Sequence, residues 1–200
     1  MDHAVVLELM RHAKTPGNAA HRYVGWTDES IIEAPLPVID ARAEHVICSD
    51  LTRTIETAAH YFPQATPQCI AAFRESHFGD FEMKTYEQLK EIPAYRAWID
   101  APENVAPPHG ETLTILYKRV QTAMTQLAAR RHQYAVLHGG TIRALLVQFA
   151  PQPSAFWDWH VGHDTRFVLT WNSRQAFEEG QRCTSLSVEP LTASEHMSNN

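Results

Sequence analysis

Apolar positions along this chain fall into short runs that end on polar, chemistry-bearing residues. Residues 4–10 form a Val-rich run broken only by Glu8, which predicts a buried strand stopping at Arg11-His12. Residues 45–48 (HVIC) predict a second strand, ending at Ser49-Asp50. Leu51, Ile55, Ala58, Ala59 and Phe62 then recur at helical spacing, so a helix follows at once and Pro63 closes it. Residues 135–137 predict a third strand that ends at His138-Gly139-Gly140, with a helix over 141–149 stopping before Pro151. The most regular stripe is Leu113, Leu116, Tyr117, Val120, Met124 and Leu127, at intervals of three and four. Late strands are predicted at 166–171 and 184–188, separated by a polar loop or hairpin around 172–180.

Strand–helix alternation predicts an α/β fold, a three-layer sandwich around a mainly parallel central sheet. Residues 76–108 fit it less well. Pro93, Pro102, Pro107 and Pro108 interrupt their helical stretches, so the segment (about 76–110) reads as a small lid over the C-terminal edge of the strands. One domain over 1–190 is expected. Residues 189–200 lack apolar periodicity, and 191–200 are expected to form a flexible tail. The stretch between Asp28 and His45 is short for a crossover, which predicts a truncated helix around 38–43 and a more open pocket on that side.

Composition narrows the function classes. Two hundred residues at 44% hydrophobic and 20% charged suit a globular domain with a sizeable core. Seventeen Lys and Arg against 23 Asp and Glu give a net charge of −6 with no basic stretch, the wrong balance for nucleic-acid binding. No apolar run is long enough to span a membrane, and the acidic N-terminus is unlike a secretory signal. Cys48, Cys69 and Cys183 are odd in number and widely spaced, which points to reduced thiols and a cytoplasmic protein. Oligomeric state is left open by these features.

The strand ends carry the chemistry. In an open α/β sheet, ligands bind outside the carboxyl ends of the strands. Arg11-His12, then Ser49-Asp50 with Arg53 in the first turn of the next helix, then His138-Gly139-Gly140 would all meet there. Arginine forks match phosphate oxygens, and glycines let backbone N–H groups approach an anion at a helix start. Any one of these residues alone would be an ordinary strand terminus. Their coincidence at three ends predicts an anion site in a net-negative protein.

These residues also carry a resemblance. LMRHAKTPGN resembles the phosphohistidine signature of the histidine phosphatase (phosphoglycerate-mutase-like) superfamily. CSDLTRTIETA and AVLHGGTIRALL resemble its second and third motifs, in the family's order, and the likeness runs from residue 5 to about 171. The resemblance implies a phosphomonoesterase with His12 as nucleophile. Arg11, Arg53 and His138 would hold the phosphoryl oxygens, and Asn18 and Gly139 would contact the phosphate. Glu75, in FRESHFGDFEM, falls at the family's acid/base position, with Glu82 seven residues later as the competing carboxyl. No metal or other cofactor is implied, because arginines neutralise the phosphate. Ala13 and Lys14 depart from the family's usual glycine and glutamate after the nucleophile.

Within the superfamily, SHFGDFEMKTYEQLKEIPAYRAWID and then PPHGETLTILYKRV look most like alpha-ribazole phosphatases, which act in cobalamin nucleotide-loop assembly, and RYVGWTD agrees with that group and with general phosphatases beside it. The small-molecule substrate implied is alpha-ribazole 5′-phosphate. Broad-specificity or sugar-phosphate phosphatases are the alternative. A mutase fits poorly, since residues 76–110 hold only Lys84, Lys90 and Arg96 as Lys or Arg. A non-catalytic phosphometabolite-binding protein is the alternative from another class, disfavoured by the presence of both His12 and Glu75. Phe78, Phe81, Tyr86, Tyr95 and Trp98 read mainly as packing of the lid, with stacking on a nucleoside as the other reading. His160, Gly162, His163 and Asp164, with His109, are the one candidate for a metal-dependent hydrolase; the simpler reading is that they cap the turn before the strand at Arg166.

Overall fold

The computed structural model describes residues 2–191. Six strands form one sheet: β1 (Val5–Arg11), β2 (His45–Cys48), β3 (Thr66–Cys69), β4 (His132–Leu137), β5 (Thr165–Trp171) and β6 (Ser185–Pro190). Their spatial order is β3-β2-β4-β1-β5-β6. β3, β2, β4 and β1 run parallel, β5 runs antiparallel to β1, and β6 antiparallel to β5. This is the expected mixed α/β fold with a mostly parallel sheet.

Alternation along the strands sorts the core into two faces. Val5, Leu7 and Leu9 of β1, Ala135 and Leu137 of β4, and Phe167, Leu169 and Trp171 of β5 point to one side. There they meet α5 (Leu113–Met124) and α6 (Gly139–Phe149). Met10, Val46, Cys48 and Val136 point to the other, against Ala58 and Tyr61 of α2 (Thr52–Tyr61). A third cluster, Phe81, Leu89, Tyr95 and Trp98, is the core of the excursion that carries α3 (Tyr86–Leu89) and α4 (Pro93–Asp100). Most of the excursion's aromatics are therefore packing, whereas Tyr86 is exposed.

Several elements differ from the sequence pattern. No helix forms around 38–43. Pro35 and Pro37 remove donors there, and the N–H groups of Ile39 and Asp40 instead donate to Tyr61 O at the end of α2 (2.8 and 3.2 Å). The bared side does carry a cavity of about 580 Å³, walled by Ala13, Lys14, Ile32, Leu36, Tyr61 and His163 among others. The 172–180 stretch holds a short helix, α7 (Arg174–Glu178), because Ser173 caps it and Phe177 is buried. β3 has no sequence signature, being an exposed edge strand containing Pro67. β6 runs on to Pro190, into the aperiodic stretch. Residues 192–200 of the expected tail lie outside the described residues.

Candidate active site

β1 ends on Arg11 and passes into His12, whose N–H donates to Leu137 O at the matching end of β4 (2.9 Å). β2 passes into Ser49, and the first turn of α2 supplies Arg53. β4 passes into His138, the residue that precedes the first turn of α6. Because β5 is antiparallel, its entry segment, residues 160–164, reaches the same edge. The short helix α1 (Pro16–Ala19) adds Asn18.

His12 is 3% exposed, and its Nδ1–H donates to Ala13 O at 2.7 Å. That bond fixes the tautomer and leaves the lone pair on Nε2. The rings of His138 and His163 flank it edge-on, at centroid distances of 5.1 and 5.7 Å. Burial first, then the charges of Arg53 and Arg11, hold its pKa well below 6.5, so the imidazole is neutral.

Arg11 donates from Nη1 to Val161 O (3.0 Å), while its buried Nε has no partner among the described residues. The Arg11 guanidinium lies against the start of α6, where a Cβ at position 139 would stand 3.4 Å from its Cζ, an ordinary contact. Arg53 is fully buried and does not present an open fork. Its Nη2 donates to Gly25 O (2.6 Å), Nη1 to Thr27 O (2.9 Å) and Nε to His138 Nδ1 (3.3 Å). His138 therefore donates from Nε2 to Ser49 Oγ (2.7 Å). Burial, then Arg53, keeps His138 neutral too. Both of its ring nitrogens are thus engaged by the protein.

Glu75 accepts from Ser76 N (2.8 Å) at Oε1 and from Gly140 N (2.9 Å) at Oε2. A Cβ on residue 140 would fall 2.2 Å from Oε1, so only glycine permits this approach. The Glu75 carbonyl accepts from Trp26 Nε1 (2.9 Å) and Arg119 Nη2 (2.8 Å), which fixes the backbone behind the carboxylate. Glu82 has a different surrounding. Its two oxygens accept from the N–H groups of Gly25, Trp26, Thr27 and Phe78 and from the Thr27 hydroxyl. Its bonds thus go to the 25–27 loop and Phe78.

Arg11, Asn18, Glu75 and Gly139 line one cavity of about 310 Å³, with Tyr23, Phe78, Trp98, Phe156 and Trp157 on its apolar walls. Asn18 Oδ1 accepts from Thr15 N, which leaves its amide N–H groups for the cavity. One group here escaped the sequence reading. Arg143 lines the cavity one turn beyond Gly139 on α6, its Nε on Trp159 O (2.9 Å) and its guanidinium over Phe156 and Trp157. The i, i+4 spacing from Gly139 was the signal available for it. His163 is no turn cap: it donates to His12 O at 2.6 Å. His109 is elsewhere, bonded to Asp80 (3.0 Å). Among the described residues, no three His, Cys, Asp or Glu side chains gather as a metal site.

Residues 37–181 match the family described as the histidine phosphatase superfamily (branch 1). The chain belongs to the histidine phosphatase superfamily. It is a phosphoric monoester hydrolase. The match takes in Arg53, Glu75, His138 and Arg143, while Arg11 and His12 precede it. Among relatives of this histidine phosphatase is the adenosylcobalamin/alpha-ribazole phosphatase of Salmonella typhimurium, 28% identical over 169 residues, covering 77% of this chain and 83% of the relative. Phosphoglycerate mutase-like protein 4 of Arabidopsis thaliana is 30% identical over 178 residues, covering 76% and 73%. The solved structure of a putative alpha-ribazole-5′-P phosphatase from Escherichia coli shares the fold at a TM-score of 0.78 and 20% identity, over 96% of this chain and 99% of that one.

Proposed function

We propose that this histidine phosphatase works through a phosphohistidine on His12, and that its substrate is alpha-ribazole 5′-phosphate. The observation that carries the mechanism is the neutral, tautomer-locked His12 beside Arg11, whose buried Nε has no acceptor among the described residues. The Nε2 lone pair attacks phosphorus in line, and the bond from phosphorus to the ester oxygen breaks. Glu75 gives its proton to the departing alkoxide. It then takes a proton from water, whose oxygen attacks phosphorus, and the N–P bond breaks to release phosphate and neutral His12.

Arg11, Arg53, Asn18 and the Gly139 N–H at the start of α6 offset the phosphoryl charge. His138 responds to that charge. A nearby dianion raises the pKa of a buried imidazole. Once protonated, His138 Nδ1 turns from acceptor to donor, and Arg53 Nε is released from it as a second donor for the anion. Arg53 thus acts from a position already fixed by the 25–27 carbonyls.

The substrate assignment is supported by the named relatives and by a small cavity walled with aromatics, of a size that suits a nucleoside. A sugar phosphate is the second reading. Arg143 favours it, since among the described residues only its Nε makes a hydrogen bond and its Nη groups are free for hydroxyls. Steady-state kcat/KM over a panel of alpha-ribazole 5′-phosphate, sugar phosphates and phosphoserine tests the substrate. A preference of about tenfold or more for alpha-ribazole 5′-phosphate, the size of one good discriminating contact, is expected. Radiolabelled phosphate that stays on the chain in base and is lost in acid, as expected of an N–P bond, and that is absent in His12→Ala, tests the mechanism. An unlabelled chain that still turns over would overturn it.

A further inference from the structure

The peptide between His12 and Ala13 is held at both ends by side chains from distant parts of the chain. Its N–H, on Ala13, donates to Thr57 Oγ1 at 2.9 Å, and Thr57 Oγ1 in turn donates to Arg53 O at 2.7 Å. Its C=O, on His12, accepts from His163 Nδ1 at 2.6 Å. The next carbonyl, Ala13 O, is the acceptor that locks the His12 imidazole. Where that carbonyl lies depends on the plane of the peptide before it. His163 also packs edge-on against the His12 ring, across from His138.

We propose that His163 is a positioning residue for the nucleophile: through the His12 carbonyl it sets the peptide plane that aims the His12 ring. The inference rests on His12 being the nucleophile. Because Nδ1 donates to a carbonyl, the neutral tautomer with its proton on Nδ1 is the one used. Burial first, then Arg11 and with them Lys14, bring the His163 pKa down to about 4 against the opposing effects of the bond to His12 O and of Asp164, so the ring is neutral near pH 7. His163 makes no claim on the substrate. It acts through the backbone of another residue, 151 positions earlier in the chain.

The geometry supplies its own test. Asn Nδ2 occupies the place of His Nδ1 relative to Cβ, so His163→Asn keeps a donor at that point, while His163→Asp puts only acceptors there at neutral pH. The readouts are kcat and KM on nitrophenyl phosphate, single-turnover phosphorylation of His12, and the melting temperature. His163→Asn is expected to keep kcat within about threefold, and His163→Asp to lose about 10²-fold, the scale of an ångström's misplacement, with KM little changed. Phosphorylation of His12 should slow in step with kcat.

Equal activity of the folded Asn and Asp variants would overturn the proposal, as would a loss confined to KM. Should the Asp variant fail to fold, His163→Leu replaces it, with the same loss of kcat expected; a Leu variant as active as the wild type overturns the proposal. Failure of the phosphohistidine reading shows separately, as turnover by His12→Ala.

Discussion

At the scale of single residues, the two candidate acids are told apart by what binds them. Glu75 accepts two backbone N–H groups at the cavity wall, whereas Glu82 is saturated by a loop. To act as an acid Glu75 must carry a proton, a form that the negative charge of a bound phosphate favours. Protonation matters most for a poor leaving group. Glu75→Gln is therefore expected to lose about 10²-fold or more in kcat on an alkyl phosphate and under about tenfold on nitrophenyl phosphate. Comparison of the two esters in one variant checks this, and equal losses would remove Glu75 from the acid role.

Elements, and not residues, explain why Glu82 still matters to the site. It gathers the N–H groups of the 25–27 loop, and the carbonyls of that loop hold Arg53, which donates to His138. Glu82→Gln turns an amide against several donors. A loss of about 2–4 kcal/mol in stability is expected, from hydrogen bonds to a charged group removed and not replaced. Urea denaturation measures it, and kcat/KM should fall alike on alkyl and nitrophenyl esters. The same scale shows what was legible in the sequence. β1, β2 with α2, and β4 with α6 could be read because apolar runs end on Arg11-His12, on Ser49 before Arg53, and on His138. Their convergence on one edge follows from a parallel sheet. β3 could not be read, since an exposed edge strand needs no apolar alternation. The contacts of Gly140 with Glu75, of Thr57 with Ala13 and of His163 with His12 were equally hidden, because each depends on which elements become neighbours. The His160–Asp164 cluster was visible in the sequence, but only an antiparallel β5 gives it its place beside His12.

For the whole molecule, three neutral histidines packed around one point tie stability to pH. His12 and His138 titrate well below 6.5 in the folded chain, and His163 at about 4. An unfolded chain protonates all three as pH falls through ~6.5, and the folded chain does not. Their contribution is therefore complete above that pH and is lost on acidification, at about 1.4 kcal/mol per pH unit for each residue. Asp50 and Glu189, whose pKa values are lowered by Arg74 and by Ser187 with Arg166, lose theirs only at more acid pH. Urea midpoints between pH 7 and 5 should fall steeply, and His163→Asn should flatten that slope by about one proton's worth. An unchanged slope in the variant would mean that His163 is protonated in the fold.

The position of β5 has a consequence for how the molecule is made. Arg11 finds its acceptor at Val161, 150 residues on, and the His12 carbonyl finds its donor at His163. A ribosome that has reached residue 150 has already made His12, Arg53, Glu75 and His138. Closing so long a loop costs entropy that is regained only when β5 pairs with β1. Until then the nascent chain carries every group the proposed chemistry uses and has no fixed direction for the first of them. His12, the proposed nucleophile, is therefore synthesised about 150 residues before the segment that fixes its carbonyl.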